Sequence, residues 1–345
     1  MSGGVDSSLA AALLKQAGYE VFGVTMQIWP SDKPAFGGCC GLEAVEDAKR
    51  VADKLGIPHY VMDFRDIFRQ KVIADFCQEY SVGRTPNPCI RCNQYIKFDA
   101  LLERVKGLDA DFLATGHYAR VERSADGYRL LKAVDPTKDQ SYFLYTLGQK
   151  ELKRLLLPIG NLRKAEVRRL AAELSLPTAN RRGSQDICFI PDNDYRSFVA
   201  EYIPLKGGEI VDITGKVLGK HSGLARYTVG QRHGLGLNSS KQLYVLKLDA
   251  ESNRLVVGTR DQLLHNALTA TGLSWVSGEA AKESVTIRAK VRYKAPEVTA
   301  ELHLSDSMAE VRFIKPQPAI TPGQSVVFYQ SDAVLGGGII DAVLC

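Results

Sequence analysis

The chain has 345 residues, 45% hydrophobic and 24% charged, enough for two or three packed domains and without the bias of a disordered chain. A net charge of +5 is too small to mark a nucleic-acid binder, so the placement of charge matters more than its sum. No apolar run approaches the roughly 20 residues of a membrane span, and neither a signal-peptide nor a transit-peptide layout opens the chain, so a cytoplasmic protein without membrane contact is expected. The count of seven cysteines is odd for a disulfide framework and favours reduced thiols with catalytic or metal-binding work. Cys39, Cys40, Cys77 and Cys345 read as packing or surface residues.

The opening "MSGGVDSSLAAALL" sets two glycines, Asp6 and Ser7-Ser8 ahead of an amphipathic helix. Glycines let backbone approach an anion, and amides at a helix N-terminus point toward it, so the turn suits a pyrophosphate. It lacks the lysine of a Walker loop, which argues against simple γ-phosphate transfer. The string resembles the loop of pyrophosphate-releasing ATPases, where Mg²⁺ assists the departing pyrophosphate and Asp6 could serve. Such a loop ordinarily follows a β-strand, and the chain here begins on the loop. A gap in the sheet and a weakly anchored loop are the expectation, with ATP affinity open to test.

Short β-branched runs then alternate with amphipathic helices: "YEVFGVTM", "LEAVEDAKRVADKLG", "HYVMDF", "FDALLERVKGL" and "DFLATGHY". This alternation predicts a parallel sheet covered by helices, with ligands beyond the carboxyl ends of its strands. After about Tyr202 the strands become short and punctuated by Gly, Asp and Asn, as in "GGEIVDITGKVLGK" and "PGQSVVFYQSDAVLGGGII". The fold expected is an α/β catalytic domain over residues 1–202, a small β-rich domain over 203–265 and a C-terminal β-barrel over 266–345.

Two basic clusters stand out. Arg163, Lys164, Arg168, Arg169, Arg181 and Arg182 form one, and strand alternation would set Arg288, Lys290, Arg292 and Lys294 on one face of the other. A solvated surface is the plainer account of either; contact with nucleic-acid phosphates is the alternative.

Three cysteines lie in two remote strings, Cys89 and Cys92 in "TPNPCIRCNQ" and Cys188 in "GSQDICFIPD". With SGGVDSS, "LATGHYAR" and "KDQSYFLYTL" in order, the chain resembles, essentially from end to end, the tRNA-uridine 2-sulfurtransferases, or 2-thiouridylases. The resemblance implies adenylation of the C2 oxygen of the wobble uridine in lysine, glutamate and glutamine tRNAs, followed by displacement of AMP by sulfur. A carbonyl oxygen leaves poorly until activated, so both a nucleotide loop and thiols are needed. Matched residue by residue, the family implies ATP contacts at Ser2, Gly3, Gly4, Val5, Asp6, Ser7, Met26 and Gly116, with Asn87, Pro88 and Cys89 beside the target base. It implies Cys92 as catalytic thiol, Cys188 as persulfide carrier, and tRNA contacts at His117, Lys138, Asp139, Gln140, Arg292, Tyr293 and Gln324. A sulfur-donor protein would be the second partner.

Many members of that family carry Asp where this chain has Cys89. The substitution makes a CxxC and leaves two routes open. Either Cys188 receives a persulfide and Cys92 later forms a disulfide with it, or Cys89, Cys92 and Cys188 hold a four-iron four-sulfur cluster with one open iron; three soft ligands with a vacancy favour the cluster, and the persulfide route is the fallback. Zinc ranks below these for want of a fourth ligand, and a local Cys89–Cys92 disulfide ranks last. Helix dipole alone, at about 0.3–1 kcal/mol, does not ionise Cys92, so Arg91 or a bound cation must contribute. The rivals are a tRNA thiolase of the 2-thiocytidine type and an inactive ATP- or tRNA-binding module.

Overall fold

The computed structural model describes residues 1–28, 42–181, 187–190, 194–280 and 284–344. Cys39, Cys40 and Cys345, expected as packing or surface residues, and Arg182 of the first basic cluster lie outside these residues.

Helix α1 (Val5–Gln16) is built from alanine and leucine, which lose little side-chain freedom on becoming helical, and it buries Leu9, Ala10, Ala11 and Ala12. Helix α2 (Leu42–Leu55) buries Ala44, Ala48, Val51 and Ala52, an i, i+4, i+7, i+8 stripe that turns one face inward. Strands β1 (Gly23–Gln27) and β2 (His59–Asp63) pair in parallel, as the alternation predicts. So do β3 (Leu113–Ala114) and β6 (Leu155–Leu156), but no pairing among the described residues joins the two sheets. Among the described residues the sheet is therefore interrupted. Along β1 the Met1 amine donates to the Val24 carbonyl, and Thr25 Oγ1 donates to Met1 O at 2.7 Å.

Between β3 and β6 the chain departs from the alternation. Strands β4 (Ala119–Ser124) and β5 (Gly127–Lys132) form an antiparallel hairpin that leaves the first domain and joins the C-terminal sheet. The middle region holds four strands, β7 (Gly208–Val211), β8 (Val217–His221), β9 (Tyr244–Asp249) and β10 (Arg254–Gly258), in the order β8-β7-β10-β9.

The C-terminal region is a closed barrel of β11 (Leu264–Trp275), β12 (Ser284–Lys290), β13 (Val298–Ser305), β14 (Met308–Pro318), β15 (Ser325–Gln330) and β16 (Ala333–Leu344). Pairing of β11 with β16 closes it, which removes free edges. Its inner face carries Leu268, Ile287, Leu302, Val311, Val326 and Ile340; along β12 and the first half of β14 these alternate with more exposed positions, whereas β15 is buried from Ser325 to Tyr329. The hairpin attaches at Ala333–Leu131, reinforced by Lys132 N donating to Asp332 O at 2.9 Å.

The thiol-bearing segment runs between two cores. Ile90 and Phe98 pack with Tyr142, Tyr145 and Tyr329 at the junction of hairpin and barrel. On its other side Ile96 packs with Phe68, Phe76, Phe189 and Phe198 in the first domain. Its backbone starts as a short α-helix (Pro88–Arg91) and widens to i→i+5 bonding over Cys92–Ala100. Such widened turns are uncommon and frequent at functional sites.

Candidate active site

The loop before α1 is closed by its own hydroxyls. Ser7 Oγ donates to Gly4 O at 3.1 Å, Ser8 Oγ donates to the same carbonyl at 2.9 Å, and Ser2 N donates to Ser7 Oγ at 3.1 Å. Gly3 has φ +65°, and a Cβ there would lie 2.4 Å from Ala44 O, so the position requires glycine twice over. Gly4 caps α1 without a side-chain acceptor, leaving first-turn amides for an anion. Gly116 lies against this turn, since a Cβ on it would stand 2.7 Å from Ser7 N. The structure thus brings together the expected residues Ser2, Gly3, Gly4, Val5, Asp6, Ser7 and Gly116. Met26, on β1, faces the core that also borders Cys92.

Lys164 is the residue that the reading of the loop missed. From the first turn of α3 (Lys164–Glu173) its Nζ donates to both Asp6 oxygens, at 2.6 and 2.7 Å. Tyr118 OH donates to Asp6 Oδ1 at 2.7 Å, and burial together with that carboxylate pushes its phenol up. A cation therefore does serve the loop, delivered from 158 residues away. Only the order of motifs, with a lysine opening a helix after "NLR", could have hinted at it. Mg²⁺ takes one or two carboxylates and otherwise phosphate and water oxygens. The donor set here fits it as an ion shared between Asp6 and nucleotide phosphates.

A chain of polar contacts leads from this loop to the thiols. His117, next to Gly116, sets Nδ1 2.8 Å from Thr115 Oγ1 and Nε2 3.5 Å from Lys97 Nζ. Lys97 donates to Asn93 Oδ1 at 2.9 Å, and Asn93, buried beside Cys92, donates to Phe143 O at 3.1 Å. Burial, and secondarily the Lys97 ammonium, hold the His117 imidazole well below its usual range.

Cys92 and Cys188 border one aromatic core, Cys188 through its neighbour Phe189, which meets Phe68, Phe76 and Phe198 at 5.3–5.5 Å between ring centroids. Cys77 borders it too, and burial pushes its thiol up to about 11. Arg91, expected to help ionise Cys92, is paired with Asp75 at 3.3 Å and donates to Gln94 Oε1 at 3.3 Å. Cys77 is a free thiol. The expected ligand set of Cys89, Cys92 and Cys188 is not assembled: no three His, Cys, Asp or Glu residues among those described are placed to hold a metal. The soft donors suit iron, but their arrangement here does not fit a cluster, because three-point ligation needs the sulfurs gathered round one centre.

The expected tRNA contacts divide. Asp139 is buried and accepts from Ala133 N at 3.0 Å and Ser141 Oγ at 2.9 Å, and Gln140 Oε1 accepts from Tyr118 N at 2.9 Å. These two side chains fasten the turn that presents Lys138. Tyr293 packs against Phe143 with ring centroids 4.4 Å apart and planes tilted by 41°, and Arg292 donates to Pro318 O at 3.2 Å. Gln324 Nε2 donates to Thr85 O at 2.9 Å and Pro86 O at 3.0 Å, reaching from the barrel to the turn that carries Asn87, Pro88 and Cys89.

Both basic clusters need correction. β12 ends at Lys290, so the alternation holds for Arg288 and Lys290 but not for Arg292 and Lys294, which lie in the following turn. In the other, Lys164 serves the phosphate loop, Arg168 donates to Ala179 O at 3.3 Å, Arg169 pairs with Glu173 at 2.7 Å and Arg181 pairs with Asp47. Most of that charge holds the domain together instead of forming one open surface.

The family model described as the tRNA methyl transferase HUP domain matches residues 1–192. The tRNA methyl transferase PRC-barrel domain matches 196–259, and the aminomethyltransferase beta-barrel domain matches 265–340. The chain is similar to the tRNA-specific 2-thiouridylase MnmA of Geotalea uraniireducens, at 51% identity over 99% of this chain and 93% of that protein. It is likewise similar to the proteins of the same description from Heliobacterium modesticaldum, at 52% over 99% of this chain and 91% of that protein, and Acetivibrio thermocellus, at 49% over 99% and 97%. Phosphate loop, thiol helix and barrel occur here in one chain, matched along nearly its whole length, and the chain belongs to the tRNA-specific 2-thiouridylase family.

Proposed function

We propose that this protein is a cytoplasmic sulfurtransferase that thiolates C2 of the wobble uridine in lysine, glutamate and glutamine tRNAs, using ATP and sulfur from a donor protein. The observation that carries the reading is the continuous contact from the phosphate loop through Gly116, His117, Lys97 and Asn93 to the helix of Cys92. It links a nucleotide site to a nucleophile within one domain, which suits activation followed by displacement.

ATP would lie with its phosphates at residues 2–7 and its adenosine toward Met26, and Asp6 would hold a Mg²⁺ whose charge would offset that of the departing pyrophosphate. The uridine O2 attacks the α-phosphorus, an O–P bond forms and pyrophosphate leaves. The outer sulfur of a Cys188 persulfide then attacks C2, and the C2–O bond breaks to release AMP. Finally the Cys92 thiolate attacks Cys188 Sγ; the S–S bond breaks, the base leaves as the C2 thione, and a Cys92–Cys188 disulfide remains. A dithiol reductant restores both thiols. The shared core under Cys92 and Cys188 supports this route. Asn87, Pro88 and Cys89 face the base, with Lys138, Arg292 and Tyr293 on the tRNA.

Mass spectrometry of nucleosides from tRNA incubated with ATP, Mg²⁺ and a persulfide source tests the reading. Expected is 2-thiouridine from wild type and none from Cys92→Ser or Cys188→Ser. Production of 2-thiocytidine, or of no thionucleoside, overturns it.

A further inference from the structure

The turn that delivers Cys89 and Cys92 to the site is held by the C-terminal barrel. Thr85 N donates to Pro322 O at 2.9 Å, and Gln324 Nε2 bridges the carbonyls of Thr85 and Pro86 at 2.9 and 3.0 Å. Arg84 donates to Asp341 Oδ1 and Ile340 O, each at 3.1 Å, while its Nε donates to Glu79 at 2.8 Å. Gly323 approaches so closely that a Cβ on it would stand 2.8 Å from Thr85 N. The segment between this clamp and Cys89 is only Asn87-Pro88, and Pro88 fixes its own φ. Little slack separates the barrel's grip from the first thiol.

We infer that Gln324 and Arg84 are positioning residues for the thiol helix, acting through the backbone of residues 85–88, so that the barrel sets where Cys92 meets the sulfur carried on Cys188. The inference rests on the proposed thiolation for its purpose, but not for its test. Gln324 Nε2 grips both carbonyls with no RNA present. Its loss frees the turn while leaving the hydrophobic anchors Ile90 and Phe98 in place, so the effect falls on local opening and not on global folding.

The test is alkylation of tRNA-free protein by iodoacetamide, read cysteine by cysteine by mass spectrometry, in wild type, Gln324→Met and Arg84→Lys. Two hydrogen bonds are lost in Gln324→Met, so Cys89 and Cys92 should react about 3- to 10-fold faster, with Cys77 unchanged. Thiolation by the same variant should fall in kcat, with KM for tRNA unchanged. An unaltered Cys92 rate, a Cys92 rate that rises only in step with Cys77, or a change confined to KM overturns the inference. Arg84→Lys keeps the charge but cannot span Asp341, Ile340 and Glu79 together, so it supplies the same readout should Gln324→Met fold poorly. Were wild type to make no 2-thiouridine, the proposed function would fall, and the alkylation result would still decide the positioning role.

Discussion

At the phosphate loop, Asp6 would be a carboxylate facing an incoming polyanion were it not for Lys164. The pair is partly exposed, with side-chain accessibilities of 18% for Lys164 and 31% for Asp6, so its direct contribution to stability is modest. Its contribution to catalysis is expected to be larger, because preorganised charge at a developing pyrophosphate costs no reorganisation. Lys164→Met should lower kcat for thiolation about 10²-fold while shifting the melting temperature by only a few degrees. A melting shift without a kcat loss would return Lys164 to a purely structural role. His117 offers a second check. Since burial and Lys97 depress its pKa, the imidazole is already neutral at neutral pH, and its NMR signal should stay flat between about pH 6 and 8. At the thiols, burial raises Cys77 to about 11, so its alkylation should still be rising with pH above the roughly 8.5 at which an ordinary thiol titrates. For the metal question, Cys89→Asp in iron-free protein should keep thiolating. Activity only in iron-loaded wild type, lost with the bound iron in Cys89→Asp, would show that the three thiols gather in a state not described here.

Among the elements, the first turn of α1 depends on Gly116, which is remote in sequence. Gly116 touches Ser7 N so closely that Gly116→Ala must displace the turn, at about 1–3 kcal/mol. ATP binding measured by calorimetry should weaken at least tenfold, with the barrel's β-structure unchanged by circular dichroism. The sequence conveys such elements unevenly. Helix α2 and strands β1 and β2 were readable because their apolar periods are local. The thiol strings were readable as motifs. By contrast, the Asp6–Lys164 pair and the Gln324 grip join residues 158 and 239 positions apart, and no local pattern encodes a partner at that range. The run from Arg288 to Lys294 looked like one strand face because its alternation continues, whereas the backbone turns after Lys290. The basic cluster after Arg163 misled for another reason: charge in sequence does not tell a solvated lysine from one closed onto an internal carboxylate.

For the whole molecule, the hairpin β4–β5 is the seam. Lys132 Nζ reaches Glu297 and Ser331 O, each at 2.8 Å, and lies 4.8 Å from the centre of the Tyr329 ring, so a first-domain cation is held in the barrel wall. Glu297→Ala leaves Lys132 and Arg288 without that carboxylate in a site where Lys132 is only 19% exposed. A loss of about 1–3 kcal/mol is expected, read as a lower midpoint in urea with first domain and barrel unfolding in separate steps. A single unshifted transition would show that the seam is held by apolar packing alone. The same seam limits how the protein can be dissected. Truncation after the middle region would strip Gly127–Lys132 of its place beside Ala333 and bare a ribbon edge that favours self-association. Fragments cut at the apparent domain borders should therefore clump, whereas a circular permutant that keeps ribbon and barrel together should stay dispersed.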